Sequence, residues 1–159
     1  MILFHGSNVE VREPRLITTQ RNLDFGKGFY TTSDLAQATQ WALRTARIRN
    51  AGQALVCSYE VDTDAYDALR ILTFATADAA WLQYVAQHRR GIVVEDGYDV
   101  VAGPVANDQT IRTINDYIRG RFPEDIAIRL LMPQRLNDQY VFKSEAALAT
   151  LRFKEAIRV

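Results

Sequence analysis

The chain of 159 residues predicts a single α+β domain spanning residues 1–159. Two observations carry that class. Apolar, strand-like runs lie at both ends of the chain, with helix-periodic segments between them. Strands and helices also fail to alternate in the regular β-α-β order of a doubly wound sheet. No repeat, linker or low-complexity tract asks for a second domain.

Ile2-Leu3-Phe4-His5 reads as the first strand, ended by Gly6-Ser7-Asn8. Residues 9–22 are polar and irregular, with Pro14 and Arg12, Arg15 and Arg21, and read as a loop with room for one helical turn. The segment Leu23–Thr32 is the stretch around which the chain is organised. Its Gly26 and Gly28 can take positive φ and admit close approach, and Phe29-Tyr30-Thr31-Thr32 favours an extended backbone. Such a turn, strand and helix start suits either a ligand cradle or a plain corner. Ser33 is expected to cap a helix over 34–49, with Leu35, Ala38, Trp41, Ala42 and Ile48 at helical spacing and Asn50-Ala51-Gly52 as its stop.

Ala54–Val61 reads as a strand, followed by a turn around Asp62-Thr63-Asp64 and a short strand at Ile71–Phe74. Asp78 or Thr76 caps a helix to about Arg89 that turns Trp81, Leu82, Val85 and Ala86 inward. Gly91–Asp96 is a loop or short strand, and Tyr98–Gly103 a strand stopped at Gly103-Pro104. Asn107 or Asp108 caps a helix to Arg119, with Ile111, Ile114, Tyr117 and Ile118 on one face and Gly120 beyond it. Pro123 takes the first position of a helix to Met132. Gln139–Phe142 is a short strand, Ser144 opens a small helix to Leu151, and Arg152–Val159 closes the chain as a strand.

Formal net charge is zero and 48% of residues are hydrophobic, so no global field argues for nucleic acid or an anionic membrane. Lysine occurs only at Lys27, Lys143 and Lys154; the remaining cations are arginines, whose planar fork suits phosphate and carboxylate. Cys57 stands alone in an apolar run and reads as a buried structural thiol. Met1–Phe4 is too short for a signal-peptide core and no apolar run approaches a membrane span, so a cytoplasmic protein without a membrane partner is expected. The two histidines, His5 and His88, have no metal-ligand spacing, and no metal is expected. A P-loop, Gly-x-Ser-x-Gly and a full dinucleotide fingerprint are all missing.

Three side chains stand out. His5 ends an apolar strand, where it is either a satisfied structural histidine or a fixed partner for a ligand hydroxyl. Tyr30 and Trp41 lie at a strand end and two turns into the following helix, an offset that can face both rings onto one flat heterocycle, unless Trp41 is core.

Leu3-Phe4-His5-Gly6-Ser7, then Phe25-Gly26-Lys27-Gly28-Phe29-Tyr30, then Trp41 resembles the NAD-binding half of the ADP-ribosyltransferase superfamily. The likeness is to the branch shared by diphtheria-type toxins and poly(ADP-ribose) polymerases. Nearly end to end, the chain is also similar to a family of short bacterial proteins carrying LDFGKGFY (Leu23–Tyr30), QATQWA (Gln37–Ala42), a Tyr98–Asp108 segment ending GPVAND, and an NDQ segment at Asn137–Phe142. The resemblance implies two small packed β-sheets with surrounding helices, and NAD as substrate. It implies that His5 bonds the nicotinamide-side ribose, that the Gly6 backbone clamps the carboxamide, and that Tyr30 and Trp41 sandwich the ring. Ser7, Phe25, Gly26 and Gly28 complete the cofactor-binding set, and Arg21 or Arg15 would meet the pyrophosphate from the covering loop.

The superfamily's third signature residue is a glutamate on a late strand; Gln139 stands at that position. An amide can accept a ribose hydroxyl but carries no charge and cannot act as a base. Asp138, Glu145, Asp24 and Asp108 are the acids that could compensate. Asn107 and Asp108 serve either acceptor recognition or helix capping. The implied activity is mono-ADP-ribosyl transfer to a protein or nucleic-acid acceptor, with His5, Tyr30 and Gln139 as catalytic residues. The implied context is a toxin of a toxin–antitoxin or phage-defence system, neutralised by a small antitoxin-like partner. The competing expectation is a catalytically inactive NAD or nucleotide sensor, or an interaction module, with the same fold.

Overall fold

A computed structural model describes residues 1–16, 23–92, 96–106, 108–132 and 136–159. Among these, seven strands form two sheets. The first holds β1 (Ile2–Ser7), β3 (Leu55–Val61) and β7 (Leu151–Arg158) in the order β1-β3-β7, all antiparallel. The second holds β2 (Phe29–Thr31), β4 (Ile71–Thr73), β5 (Val100–Pro104) and β6 (Asp138–Phe142) in the order β2-β6-β5-β4, parallel only between β4 and β5. The helices are α1 (Leu35–Arg49), α2 (Thr63–Asp67), α3 (Ala79–Arg89), α4 (Asp108–Ile118), α5 (Glu124–Leu131) and α6 (Glu145–Leu148). The α+β class and its two small sheets stand as expected.

Alternation along the strands sorts the side chains into layers. Leu3, Cys57, Tyr59, Phe29, Val100 and Phe142 meet between the sheets in one apolar core. On the outer face of the first sheet, Ala38 and Ala42 of α1 pack on Val56 and Phe4. On the outer face of the second, α3, α4 and α5 bring Trp81, Leu82, Val85, Ile114 and Leu131 onto Val101 and Val141. The inward positions expected for α3 are all buried, as is the Cys57 thiol, whose pKa burial pushes up.

Several local expectations change. Asp34, not Ser33, caps α1: its Oδ1 accepts the N–H groups of Ala36 and Gln37 at 2.8 and 3.2 Å. Ser33 is engaged elsewhere, its hydroxyl donating to Asp138 at 2.5 Å. Leu35 and Ile48 face outward, 43% and 72% exposed, because the narrow contact of α1 with the sheet is made by alanines. The expected turn after β3 is the five-residue helix α2, capped by Asp62. Pro123 sits at the cap of α5 rather than inside it, and β1 continues through Gly6 and Ser7. The N-terminal cap of α4 at Asn107, and the middle of Gly91–Asp96, lie outside the described residues.

Candidate functional site at the seam between the sheets

Beside their shared core, the two sheets are joined through their backbones at one bridge among the described residues. Phe4 and Thr32 form an antiparallel bridge, with N–H···O bonds of 2.8 Å (Phe4 to Thr32) and 3.0 Å (Thr32 to Phe4). Residues opposed in an antiparallel pair share a face. Two residues from that bridge, Gly6 on β1 and Tyr30 on β2 therefore fall near one another on the outer, helix-covered face. Tyr30 opposes Val141, which places Gln139 on that same face of β6. Gly6, Tyr30 and Gln139 thus line one side of the seam, where the α1 layer gives way to the α3–α5 layer.

Gly6 is required there by packing. A Cβ on it would lie 2.1 Å from the Ala38 carbonyl oxygen, 2.7 Å from Ala42 N and 3.0 Å from Trp41 Cβ. The α1 backbone rides directly on β1 at this point, bringing the base of Trp41 to Gly6. Trp41 is partly buried. Ser7 is buried, with its hydroxyl accepting weakly from Val9 N at 3.4 Å.

His5 projects the other way, between the sheets, where its ring lies 4.3 Å from that of Phe29. Its Nδ1 meets the Tyr30 carbonyl oxygen at 2.7 Å. A carbonyl only accepts, so Nδ1 carries the proton in that bond. Burial lowers the His5 pKa, the Tyr30 hydrogen bond works against it, and Arg49 adds to the lowering. The ring is therefore neutral near pH 7, and a neutral imidazole protonated at Nδ1 presents Nε2 as an acceptor.

Tyr30 is fixed by its own loop. Its hydroxyl donates to the Gly26 carbonyl at 2.6 Å and accepts from Phe25 N at 3.2 Å. Burial, then the Asp24 charge, push its pKa far above the ordinary tyrosine range, so it stays protonated. Gly26 has φ +79°, which a glycine accommodates without strain, but the space beside it is filled by His88, 2.5 Å from where a Cβ would sit. The space at Gly28 is likewise filled, by Val141 and Phe142. Phe25 is fully enclosed against Phe74 and Tyr84, at centroid distances of 6.0 and 5.8 Å. Phe25, Gly26 and Gly28 fold the loop onto its own core and so hold Tyr30, and where a Cβ would point from either glycine the chain itself fills the space. Arg21 lies outside the described residues, and Arg15 is exposed with its guanidinium 3.8 Å from Glu13.

Gln139, 2% exposed, ends in a buried polar cluster. Its Nε2 donates to Asp24 Oδ2 at 3.4 Å and to the Pro104 carbonyl at 3.3 Å. Asp24, 6% exposed, accepts Arg89 Nε and NH2 on Oδ1 at 2.7 and 2.5 Å, and Ala106 N on Oδ2 at 3.1 Å. Of the four acids that sequence leaves open, the side chains of three are described, and among these Asp24 is the one that touches Gln139. Asp138 faces away, accepting Thr32 Oγ1 and Ser33 N at 3.0 and 2.8 Å. Glu145 is exposed on α6, and the Asp108 side chain lies outside the described residues. Sequence reasoning missed Arg89, which reads there only as the end of α3; the sole available signal was a cation on the last turn of a helix otherwise apolar on one face.

Two cavities open elsewhere. One of about 410 Å³ lies between Ala75, Pro104, Ile128, Leu131 and Leu136, and a second of about 280 Å³ borders it at Pro104 and reaches Asp138 and Tyr140. Among the described residues no three His, Cys, Asp or Glu side chains gather as a metal site, and no helix is long and apolar enough to cross a membrane.

No curated protein matches the chain. A family model described as a protein of unknown function, DUF3990, matches residues 1–153. Since that match covers nearly the whole chain, the protein belongs to the DUF3990 family.

Proposed function

We propose that the protein is an NAD-dependent mono-ADP-ribosyltransferase whose site is the β1–β2 seam. The observation that carries this reading is the state of His5. It is neutral, tied through Nδ1 to the Tyr30 carbonyl, and left with Nε2 as an acceptor for a ribose hydroxyl. Gly6 and Tyr30, which with Trp41 the sequence resemblance assigns to nicotinamide, lie on the same seam, with the Tyr30 and Gln139 side chains on the face opposite the His5 ring. In the reaction, the bond between ribose C1′ and the nicotinamide nitrogen breaks with its electron pair leaving on neutral nicotinamide. A lone pair of the acceptor forms the new bond to C1′, and the acceptor's proton passes to solvent. Gln139 Oε1 would accept the ribose hydroxyl. Its supply of negative charge is indirect, through Asp24 at 3.4 Å from Nε2.

A protein or nucleic-acid acceptor, action as a toxin, a small neutralising partner and a cytoplasmic setting belong to the same proposal and rest on the sequence resemblance. The inactive NAD sensor is favoured by one observation: the nearest acid, Asp24, is already paired with Arg89 and so is not a free base. Incubation of candidate acceptors with isotopically labelled NAD, read by mass spectrometry, separates the two. Transfer by wild type, lost in His5→Ala and Tyr30→Ala, supports the transferase. Equal labelling by all three discards the site, and tight NAD binding without nicotinamide release supports the sensor.

A further inference from the structure

Gln139 has a direction imposed on it. On one side of its amide stand two groups that can only accept, the Asp24 carboxylate and the Pro104 carbonyl, at 3.4 and 3.3 Å from Nε2. Turning the amide over would set Oε1 against both. The two contacts are long, so the orientation is maintained by charge and dipole more than by short hydrogen bonds. Asp24 in turn cannot swing away, because Arg89 holds Oδ1 and the Ala106 N–H holds Oδ2.

We propose that Asp24, locked by Arg89 and Ala106, is the positioning residue for Gln139, and that this pocket accepts an amide at position 139 while rejecting a carboxylate. The role of Gln139 toward a ribose rests on the NAD reading of the seam; its orientation by Asp24 does not. A glutamate at 139 would bring a second anion against Asp24 Oδ2 and the Pro104 carbonyl, while the cation paired with Asp24, Arg89, is already engaged by Oδ1. The other titratable group facing the cluster is the Tyr30 phenol, which stays neutral, and Asp138 points to the opposite face of β6. Glutamine is therefore the residue that fits, rather than a worn-down glutamate. The carboxylate behind its N–H group also polarises the amide, increasing the negative charge on Oε1.

The test compares Gln139→Glu, Gln139→Met and the double variant Asp24→Asn/Gln139→Glu with wild type in thermal denaturation at pH 7.5 and pH 5, alongside nicotinamide release from NAD. Gln139→Met removes the amide without adding charge and should lose the same few degrees at both pH values. Gln139→Glu should lose about 5–10 °C at pH 7.5, the scale of a buried like-charge contact in a domain of this size. That loss should shrink to the Gln139→Met level or less at pH 5, because a glutamic acid with a raised pKa is then neutral and can donate to Asp24. The double variant, which moves the anion instead of adding one, should recover at least half of the loss at pH 7.5. Wild-type stability of Gln139→Glu at pH 7.5, or a loss independent of pH and of Asp24, overturns the proposal. If wild type releases no nicotinamide and binds no NAD while the stability pattern holds, the positioning of Gln139 stands and the NAD reading falls.

Discussion

Replacing Gly6 with alanine adds a single methyl group where helix α1 lies directly on strand β1. The new Cβ would lie 2.1 Å from the Ala38 carbonyl oxygen and 2.7 Å from Ala42 N. An ordinary contact needs about 3.4 Å, so α1 must retreat by roughly 1 Å along a face whose contact residues, Ala38 and Ala42, are fully buried. Both clashing atoms belong to helix backbone and cannot rotate aside. Overpacking of this kind costs about 1–3 kcal/mol, and backbone opposition puts Gly6→Ala at the upper end. For a domain of this length that corresponds to a fall in Tm of about 6–12 °C. Urea denaturation followed by Trp fluorescence gives the free energy directly, and the retreat of α1 should alter the Trp41 signal in the native baseline. A Gly6→Ala protein with wild-type midpoint and spectrum would refute the claim that α1 is seated on β1 through Gly6.

Three further outcomes are expected from the same geometry. Arg89→Met leaves the Asp24 carboxylate buried without its cation and should cost about 3–5 kcal/mol in urea denaturation, far more than the loss of an exposed pair such as Lys154–Glu60. Gly26→Ala meets both a left-handed φ and the His88 ring, and should destabilise by about 1–3 kcal/mol; adding His88→Ala should relieve the steric part and leave the backbone part. Burial lowers the pKa of both His5 and His88, each partly opposed by a bond to a backbone carbonyl, of Tyr30 and Tyr84 respectively. The unfolded chain then takes up protons first as the pH drops, so the urea midpoint should decline from about pH 6.5 downward. A midpoint that is flat or rises between pH 7 and 5 would contradict this, and His88→Gln should flatten the slope.

The order of strands and helices was legible because apolar periodicity is local. Trp81, Leu82, Val85 and Ala86 recur at helical spacing, and the structure buries all four. Caps were less legible. Ser33 and Asp34 are both good N-cap residues, and the choice between them is made by Asp138, 105 positions away, which takes the Ser33 hydroxyl. Leu35 and Ile48 look like core in the α1 pattern, yet the close approach enforced by Gly6 narrows the buried apolar stripe to Ala38 and Ala42, with Gln37 buried beside it. The short helix α2 escaped notice because Asp62-Thr63-Asp64 signals a turn and a cap equally well, and five residues are too few to show a period.

In the candidate site, His5 and Tyr30 could be singled out as an imidazole and a phenol on apolar strand-like runs, and Gly6 only through the resemblance. Their grouping could not be derived from spacing; it comes from the Phe4–Thr32 bridge and the pairing of β2 with β6. The Gln139–Asp24–Arg89 cluster joins a loop, a helix end and a late strand across separations of 115 and 65 residues, and no local pattern announces it. The choice between cradle and corner at Gly26 and Gly28 was hidden for a related reason: a glycine's free side is visible in sequence, but what lies beside it is not. His88 and Val141 fill it here.

The most direct measurement is the amide and side-chain NMR spectrum of uniformly ¹⁵N-labelled protein titrated with NAD. The seam account predicts saturable shifts at the Gly6 and Tyr30 amides, the Trp41 indole N–H and the Gln139 side-chain amide. Shifts confined to the cavity around Ile128 and Leu131, or no shifts at any NAD concentration up to the millimolar range, would contradict it.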